Sequence, residues 1–211
     1  MIENFKNVLV LAPHTDDGEL GAGGTIAKLV ENGSKVTYAA FSTAAESIPK
    51  GYPDDILKIE VVKATKALGI PTSRLIIFDY QVRRLNYYRQ EILEDLVKLR
   101  NTNDFDLILT PSMDDIHQDH ATIATESLRA FKKVTILGYE LIWNNLSFDT
   151  KCFVSLERKH LELKCSALKQ YESQGQKRYL SREFTFAVAT TRGVQSGCEY
   201  AECFEVIRLY L

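Results

Sequence analysis

Five short apolar runs constrain what this 211-residue chain can fold into. Asn7 to Ala12, Lys35 to Phe41, Arg74 to Phe78, Phe105 to Thr110 and Val134 to Tyr139 each read as a strand. A stretch with helical spacing follows each of the first four: Gly21 to Asn32, Asp54 to Leu68, Arg89 to Arg100 and His120 to Phe131. Asn32-Gly33 closes the first helix, and Gly69 followed by Pro71 closes the second. The first run is apolar throughout, as a parallel strand covered on both faces requires. Strands alternating with helices predict an α/β chain, a Rossmann-like three-layer fold with a mostly parallel central sheet and right-handed crossovers.

Beyond Gly138 the rhythm changes. Leu141 to Ser155 reads as loop and short strand, Arg158 to Tyr171 as a helix, and Ser181 to Thr191 as a further helix. No Pro/Gly/Ser-rich linker and no internal repeat interrupts the chain. The expectation is a single domain over 1–211, with a regular core over 1–139 and a C-terminal addition over 140–211 packed on it.

Charge and composition exclude several function classes. A formal charge of −2 with no basic tract is unsuited to nucleic acid. No apolar run approaches the roughly 20 residues of a membrane span. The N-terminal residues Met1 to Asn7 lack the pattern of a signal peptide. The cysteines Cys152, Cys165, Cys198 and Cys203 form no C-x-x-C pair, so they read as free thiols in a reducing compartment. A cytoplasmic location is expected.

Two polar strings stand at predicted strand ends. His14-Thr15-Asp16-Asp17-Gly18-Glu19 follows the first strand, and Asp114-Asp115-Ile116-His117-Gln118-Asp119-His120 follows the fourth. In open α/β sheets that edge is where ligands bind. Singly, each string has an ordinary explanation, since aspartates before a helix are commonly caps. Together they offer the donors of a catalytic metal site, which takes three ligands from His, Asp or Glu and leaves a position for water. Two of His14, Asp16 and Asp17 can bind one ion while the third faces a substrate, and His120 can add a ligand from the other string.

His14-Thr15-Asp16-Asp17 with Glu19 and Gly23-Gly24-Thr25, then His117-Gln118-Asp119-His120, resemble the paired signatures of the LmbE-like, or PIG-L, zinc-dependent N-deacetylases. The resemblance reaches Tyr171-Glu172-Ser173-Gln174. Thr15 departs from the family's usual proline, which leaves the His-x-Asp-Asp spacing intact but loosens the turn. The resemblance implies that His14, Asp17 and His120 bind one zinc per chain and that Asp16 is the general base. It implies that His117 stabilises the oxyanion, with Asp119 orienting it. Two histidines and an aspartate also suit iron(II) or another divalent ion. The implied substrate is a small-molecule N-acetylated amino sugar or its conjugate. LmbE-like relatives include homo-oligomers, but no interface is readable here.

Around this centre, Glu19 is either a support for a ligand or a helix-start acid. Arg83 and Arg84 follow the third strand and carry forks suited to anionic oxygens. Glu140 and Trp143 follow the fifth, and the single tryptophan suits the floor of a sugar site or the core. Arg192 and Gly193 are weaker candidates. Two alternatives stand beside the enzyme. One is a nucleotide-binding protein, because Gly18, Gly21, Gly23 and Gly24 cluster in the first turn. Their spacing is not G-x-G-x-x-G, and three carboxylates there repel a pyrophosphate. The other is a non-catalytic relative that binds sugar or metal.

Overall fold

The computed structural model describes residues 2–210. Strand β1 (Asn7–Ala12) lies mid-sheet and pairs in parallel with β2 (Lys35–Ala40) on one side and β4 (Leu107–Pro111) on the other. Strand β3 (Leu75–Ile77) extends the sheet beyond β2, and β5 (Thr135–Tyr139) extends it beyond β4, both in parallel. The sheet is then completed by β6 (Cys152–Leu156) and β7 (Tyr200–Arg208), giving the order β3-β2-β1-β4-β5-β7-β6. Strand β7 is antiparallel to both of its neighbours.

Alternation along β1 divides the core between the two faces. Val8, Val10 and Ala12 enter one cluster with residues of α1 (Asp17–Glu31), α2 (Ile56–Ala67) and α5 (Arg158–Leu168). Leu9 and Leu11 enter the other with Ile92 and Leu96 of α3 (Arg89–Thr102) and Ile123 of α4 (Gln118–Ala130). Helix α6 (Arg182–Ser196) contributes Ala189 to the first cluster. The three layers expected from the strand–helix alternation are present. Among the described residues no helix is long and apolar enough to cross a membrane.

Most elements start or stop within a few residues of the sequence reading, and two differences bear on the site. Helix α1 begins at Asp17, four residues before Gly21, so the second aspartate of the first string lies in the first helical turn. The C-terminal part holds a nine-residue strand, β7, that the sequence reading did not assign. Its apolar pattern is broken by Glu202 and Glu205, and both acids have partners far away in the chain. Glu205 accepts from Ser112 Oγ at 2.8 Å and Met113 N at 2.9 Å. Glu202 is 6% exposed and accepts from Lys164 Nζ at 2.7 Å.

Both partners of that ion pair, Glu202 of β7 and Lys164 of α5, also bond the backbone of helix α1. The Gly24 and Thr25 amides donate to Glu202 at 3.0 and 2.7 Å, and Lys164 Nζ donates to the Leu20 carbonyl at 2.8 Å. Leu20 C=O and Gly24 N–H would pair with each other in an uninterrupted helix. Glycine makes the approach feasible: a Cβ on Gly24 would lie 2.5 Å from Leu156 Cδ1. Gly21 is as tightly filled, since its Cβ would lie 2.2 Å from the Tyr139 ring. These glycines serve close packing inside a helix, which removes the ground for a phosphate-binding loop and with it the nucleotide reading. Glu202→Leu would leave Lys164 buried and unpaired, at a cost of about 3–5 kcal/mol. The expected readout is a Tm lower by roughly 6–20 °C, with much of the loss recovered on adding Lys164→Met. A Tm unchanged in the single variant would count against this account.

Candidate active site

Both polar strings lie at the carboxyl edge of the sheet because β1 and β4 are adjacent and parallel. Pro13 to Asp16 forms the turn between β1 and α1, and three side chains fix it from below. The hydroxyls of Tyr38 and Tyr171 approach the Thr15 carbonyl at 3.0 and 2.6 Å and also contact the Glu19 carboxyl. Burial pushes Glu19 up to about 8, against the hydrogen bonds from the tyrosines. Glu19 is thus neither in contact with a ligand candidate nor a solvated helix-start acid. It belongs to a buried cluster under the turn, which holds this turn where the proline of the family signature is absent.

Three donor atoms converge above that turn. His14 Nδ1 lies 3.1 Å from Asp17 Oδ2, His120 Nε2 lies 3.3 Å from the same oxygen, and the two ring nitrogens are 3.3 Å apart. Ligands about 2.0–2.1 Å from a tetrahedral ion are about 3.3–3.4 Å from one another, so this triangle fits a zinc-sized ion with little movement. A wider grouping of His14, His117 and His120 also exists, its ligand atoms all within 4.8 Å of one another. Each histidine of the tight triangle is oriented by a carboxylate through its other nitrogen. His14 Nε2 lies 3.0 Å from Asp119 Oδ2, and His120 Nδ1 lies 2.7 Å from Asp115 Oδ2. Metal-binding histidines are characteristically supported in this way.

Asp119 therefore differs from its expected part. Its carboxylate bonds His14, with the Arg83 and Leu85 amides at 2.6 and 3.1 Å, and only its backbone N–H reaches His117 Nδ1, at 3.2 Å. That bond arises because His117 is the N-cap of α4. It leaves the proton of a neutral His117 ring on Nε2. Burial, together with the neighbouring His120 and His14, holds His117 below the usual histidine range.

The electrostatics favour positive charge at the centre. Burial lowers His14 and His120, but the Asp17, Asp115 and Asp119 carboxylates outweigh it and raise the two to about 9 and about 10. Burial opposes ionisation of Asp17, yet His120 and His14 hold it well below the carboxylate range. Asp16 shifts the other way. Burial and then the Asp17 charge raise it, against Lys177 and His14. Asp16 is the N-cap residue of α1 but makes no capping bond.

A cavity of about 190 Å³ opens over the cluster, lined by His14, Asp16, Asp17, His117 and His120. Ala44 and Ser47 after β2, Arg83 after β3 and Trp143 after β5 form its sides, with Gln174, Lys177 and Tyr179 from the C-terminal part. Trp143 stacks on Tyr179 with centroids 4.1 Å apart. Ala44 and Arg83 are the non-glycine residues with positive φ among those described, at 48° and 62°. Such backbone strain gathers at functional sites, and both residues line the cavity.

Of the sequence candidates, Arg83 and Trp143 line the cavity, whereas Arg84 is exposed and Glu140 lies outside. Glu140 instead forms a half-buried two-pronged pair with Arg192, which also accounts for that arginine. Gln174, Lys177 and Tyr179 carried no sequence signal of their own, although Gln174 ends the Tyr171-to-Gln174 string. Asp115 stood in the second polar string without a role. The fourth histidine, His160, is elsewhere, in a capping box with Glu157 at the start of α5.

Fold and cluster together define an α/β chain with a His/Asp constellation of metal-ligand spacing at the strand ends. The PIG-L family model, described as GlcNAc-PI de-N-acetylase, matches residues 9–131, and the chain belongs to that family. Among relatives, it is 31% identical over 172 residues to the uncharacterized deacetylase YaiS of Escherichia coli K12, covering 80% of this chain and 91% of that one. Among solved structures it resembles the N,N'-diacetylchitobiose deacetylase of Pyrococcus horikoshii, with a TM-score of 0.78 and 20% identity over 98% of this chain and 85% of that one. It equally resembles GalB, the 4-carboxy-2-hydroxymuconate hydratase of Pseudomonas putida KT2440, with a TM-score of 0.81 and 19% identity over 98% of each chain. At these identities the two solved structures speak for the fold alone.

Proposed function

We propose that this protein removes the acetyl group from an N-acetylated amino sugar or its conjugate, using one divalent ion held by His14, Asp17 and His120. The carrying observation is a difference among carboxylates. Asp17, Asp115 and Asp119 each bond a histidine, whereas the Asp16 carboxylate lines the cavity and bonds no other residue among those described. An uncommitted base beside a metal-ligand triangle is the arrangement amide hydrolysis needs.

When bound, a zinc or iron(II) ion would lower the pKa of water at the site to about 7 and polarise the amide carbonyl. Asp16 takes the proton of the attacking water and returns it to the departing nitrogen. His117, with Nε2–H free to donate, faces the oxygen on which negative charge gathers. The stacked Trp143 and Tyr179 offer an apolar face to a sugar ring, and Arg83 a fork for its oxygens. Four free thiols suit a reducing compartment, and we place the protein in the cytoplasm on that ground.

The fold also serves a hydratase, so product chemistry decides. The test is acetate release from a panel of N-acetylhexosamines, free and conjugated through phosphate, lipid, thiol or a second sugar. Acetate and a free amine in equal amounts are the expected products. A metal-loaded chain that releases acetate from no member of the panel would overturn the reading.

A further inference from the structure

The cavity wall formed by Gln174, Lys177 and Tyr179 has no ladder to hold it. Its backbone bonds are local turns, each reaching back three residues: Gln174 to Tyr171, Gly175 to Glu172, Lys177 to Gln174 and Leu180 to Lys177. No strand pairs with it among the described residues. Position must therefore come from side-chain anchors at its start. Tyr171 supplies one, already described, on the Thr15 carbonyl.

A second anchor is Glu60, in the middle of helix α2, more buried than the long contact from the Tyr52 hydroxyl to the Glu172 carbonyl at 3.5 Å. Glu60 is 2% exposed and has no lysine or arginine in ion-pair distance among the described residues. Both of its oxygens go to one residue: Oε1 accepts from Ser173 N at 2.8 Å and Oε2 from Ser173 Oγ at 2.6 Å. Gln174 Nε2 continues the chain of bonds to Ser173 Oγ at 3.2 Å. A buried carboxyl is costly unless its hydrogen bonds repay the lost water. Its neighbours Leu57, Val61 and Ala64 are apolar core, so packing alone would favour a hydrocarbon at this position.

We propose that Glu60 is a positioning residue for the active site, about which nothing in its own helix turn gives notice. By fixing Ser173 it sets the wall that carries Gln174, Lys177 and Tyr179 and so governs how tightly the substrate is held. The chemistry at the His14, Asp17 and His120 cluster lies on other elements and is untouched. The substrate part of this inference rests on the deacetylase reading; the positioning part does not.

Trp143 makes the wall directly observable. It is the only tryptophan, and it stacks on Tyr179. Its fluorescence and its quenching by acrylamide report whether Tyr179 is in place. The experiment compares Glu60→Ala, Ser173→Ala and the double variant, each checked for native circular dichroism and metal content. Glu60→Ala is expected to raise Trp143 quenching clearly and to raise KM by about tenfold, the scale of a lost charge-assisted hydrogen bond, with kcat little changed. Ser173→Ala, which keeps the amide bond to Glu60, shifts both in the same direction by less. The double variant matches Glu60→Ala, because the two residues act as one unit. Unchanged quenching in both single variants overturns the proposal, as does a loss confined to kcat. Should Glu60→Ala fail to fold, Ser173→Ala decides alone. If the wild-type protein deacetylates no sugar, the functional reading falls while Trp143 quenching still decides for or against Glu60.

Discussion

Asp16→Ala is expected to reduce kcat/KM for N-acetyl sugar hydrolysis by about 10²–10⁴-fold, the usual worth of a positioned general base. Metal content should stay at the wild-type level. The contrast follows from the hydrogen bonds. Asp17 is tied to His14 N at 2.8 Å and to both histidine rings of the triangle, whereas Asp16 is tied to none of them. Removing Asp16 therefore deletes a proton acceptor and leaves the ligand geometry standing. Single-turnover acetate release with metal analysis of the same sample checks this. Full activity in Asp16→Ala removes it from the mechanism, and loss of the metal reassigns it as a ligand.

His120→Ala is expected to lose both the ion and the activity, as chelation does in the wild type; added zinc restores the chelated wild type and not the variant. Asp115→Asn should weaken the ion by about 10–100-fold, the effect typical of a partner that orients a ligating histidine. The two possible triads separate here. Where His14, Asp17 and His120 hold the ion, His117→Ala keeps it and loses rate. Were His117 a ligand in place of Asp17, Asp17→Ala would keep the metal and His117→Ala would lose it. Equilibrium dialysis of Asp17→Ala and His117→Ala reads the answer without any turnover.

What was legible in the sequence depended on local physics. Apolar runs and stop signals marked the strands and helices of the first 139 residues, because alternation and glycine act over a few positions. The two polar strings were legible for the same reason: each is contiguous and ends a strand. Lys177, Tyr179 and Glu60 were not, because their meaning arises only when α2 and the C-terminal turns meet over the cavity. Strand β7 was hidden by Glu202 and Glu205. An acid in a strand reads as solvent-facing until its partners are known, and Lys164, Gly24 and Ser112 lie far off in the chain. Glu140 failed in the opposite way. Its place after β5 suggested a role in the site, and a long-range arginine claims it instead.

The strand order also has a bearing on biosynthesis. Strand β7 follows both of its neighbours in the chain, yet it separates them in the sheet. A nascent chain emerging from the ribosome through α6 holds β5 and β6 with a strand-wide gap between them. Until Tyr200–Arg208 arrives, both present open edges of the kind that pair with other chains. Glu202 also travels on that late strand, so Lys164 of α5, whose Nζ reaches the Leu20 carbonyl of α1, waits for its counter-charge until β7 emerges. Productive folding of this protein should thus depend on synthesis rate and chaperone access over this stretch.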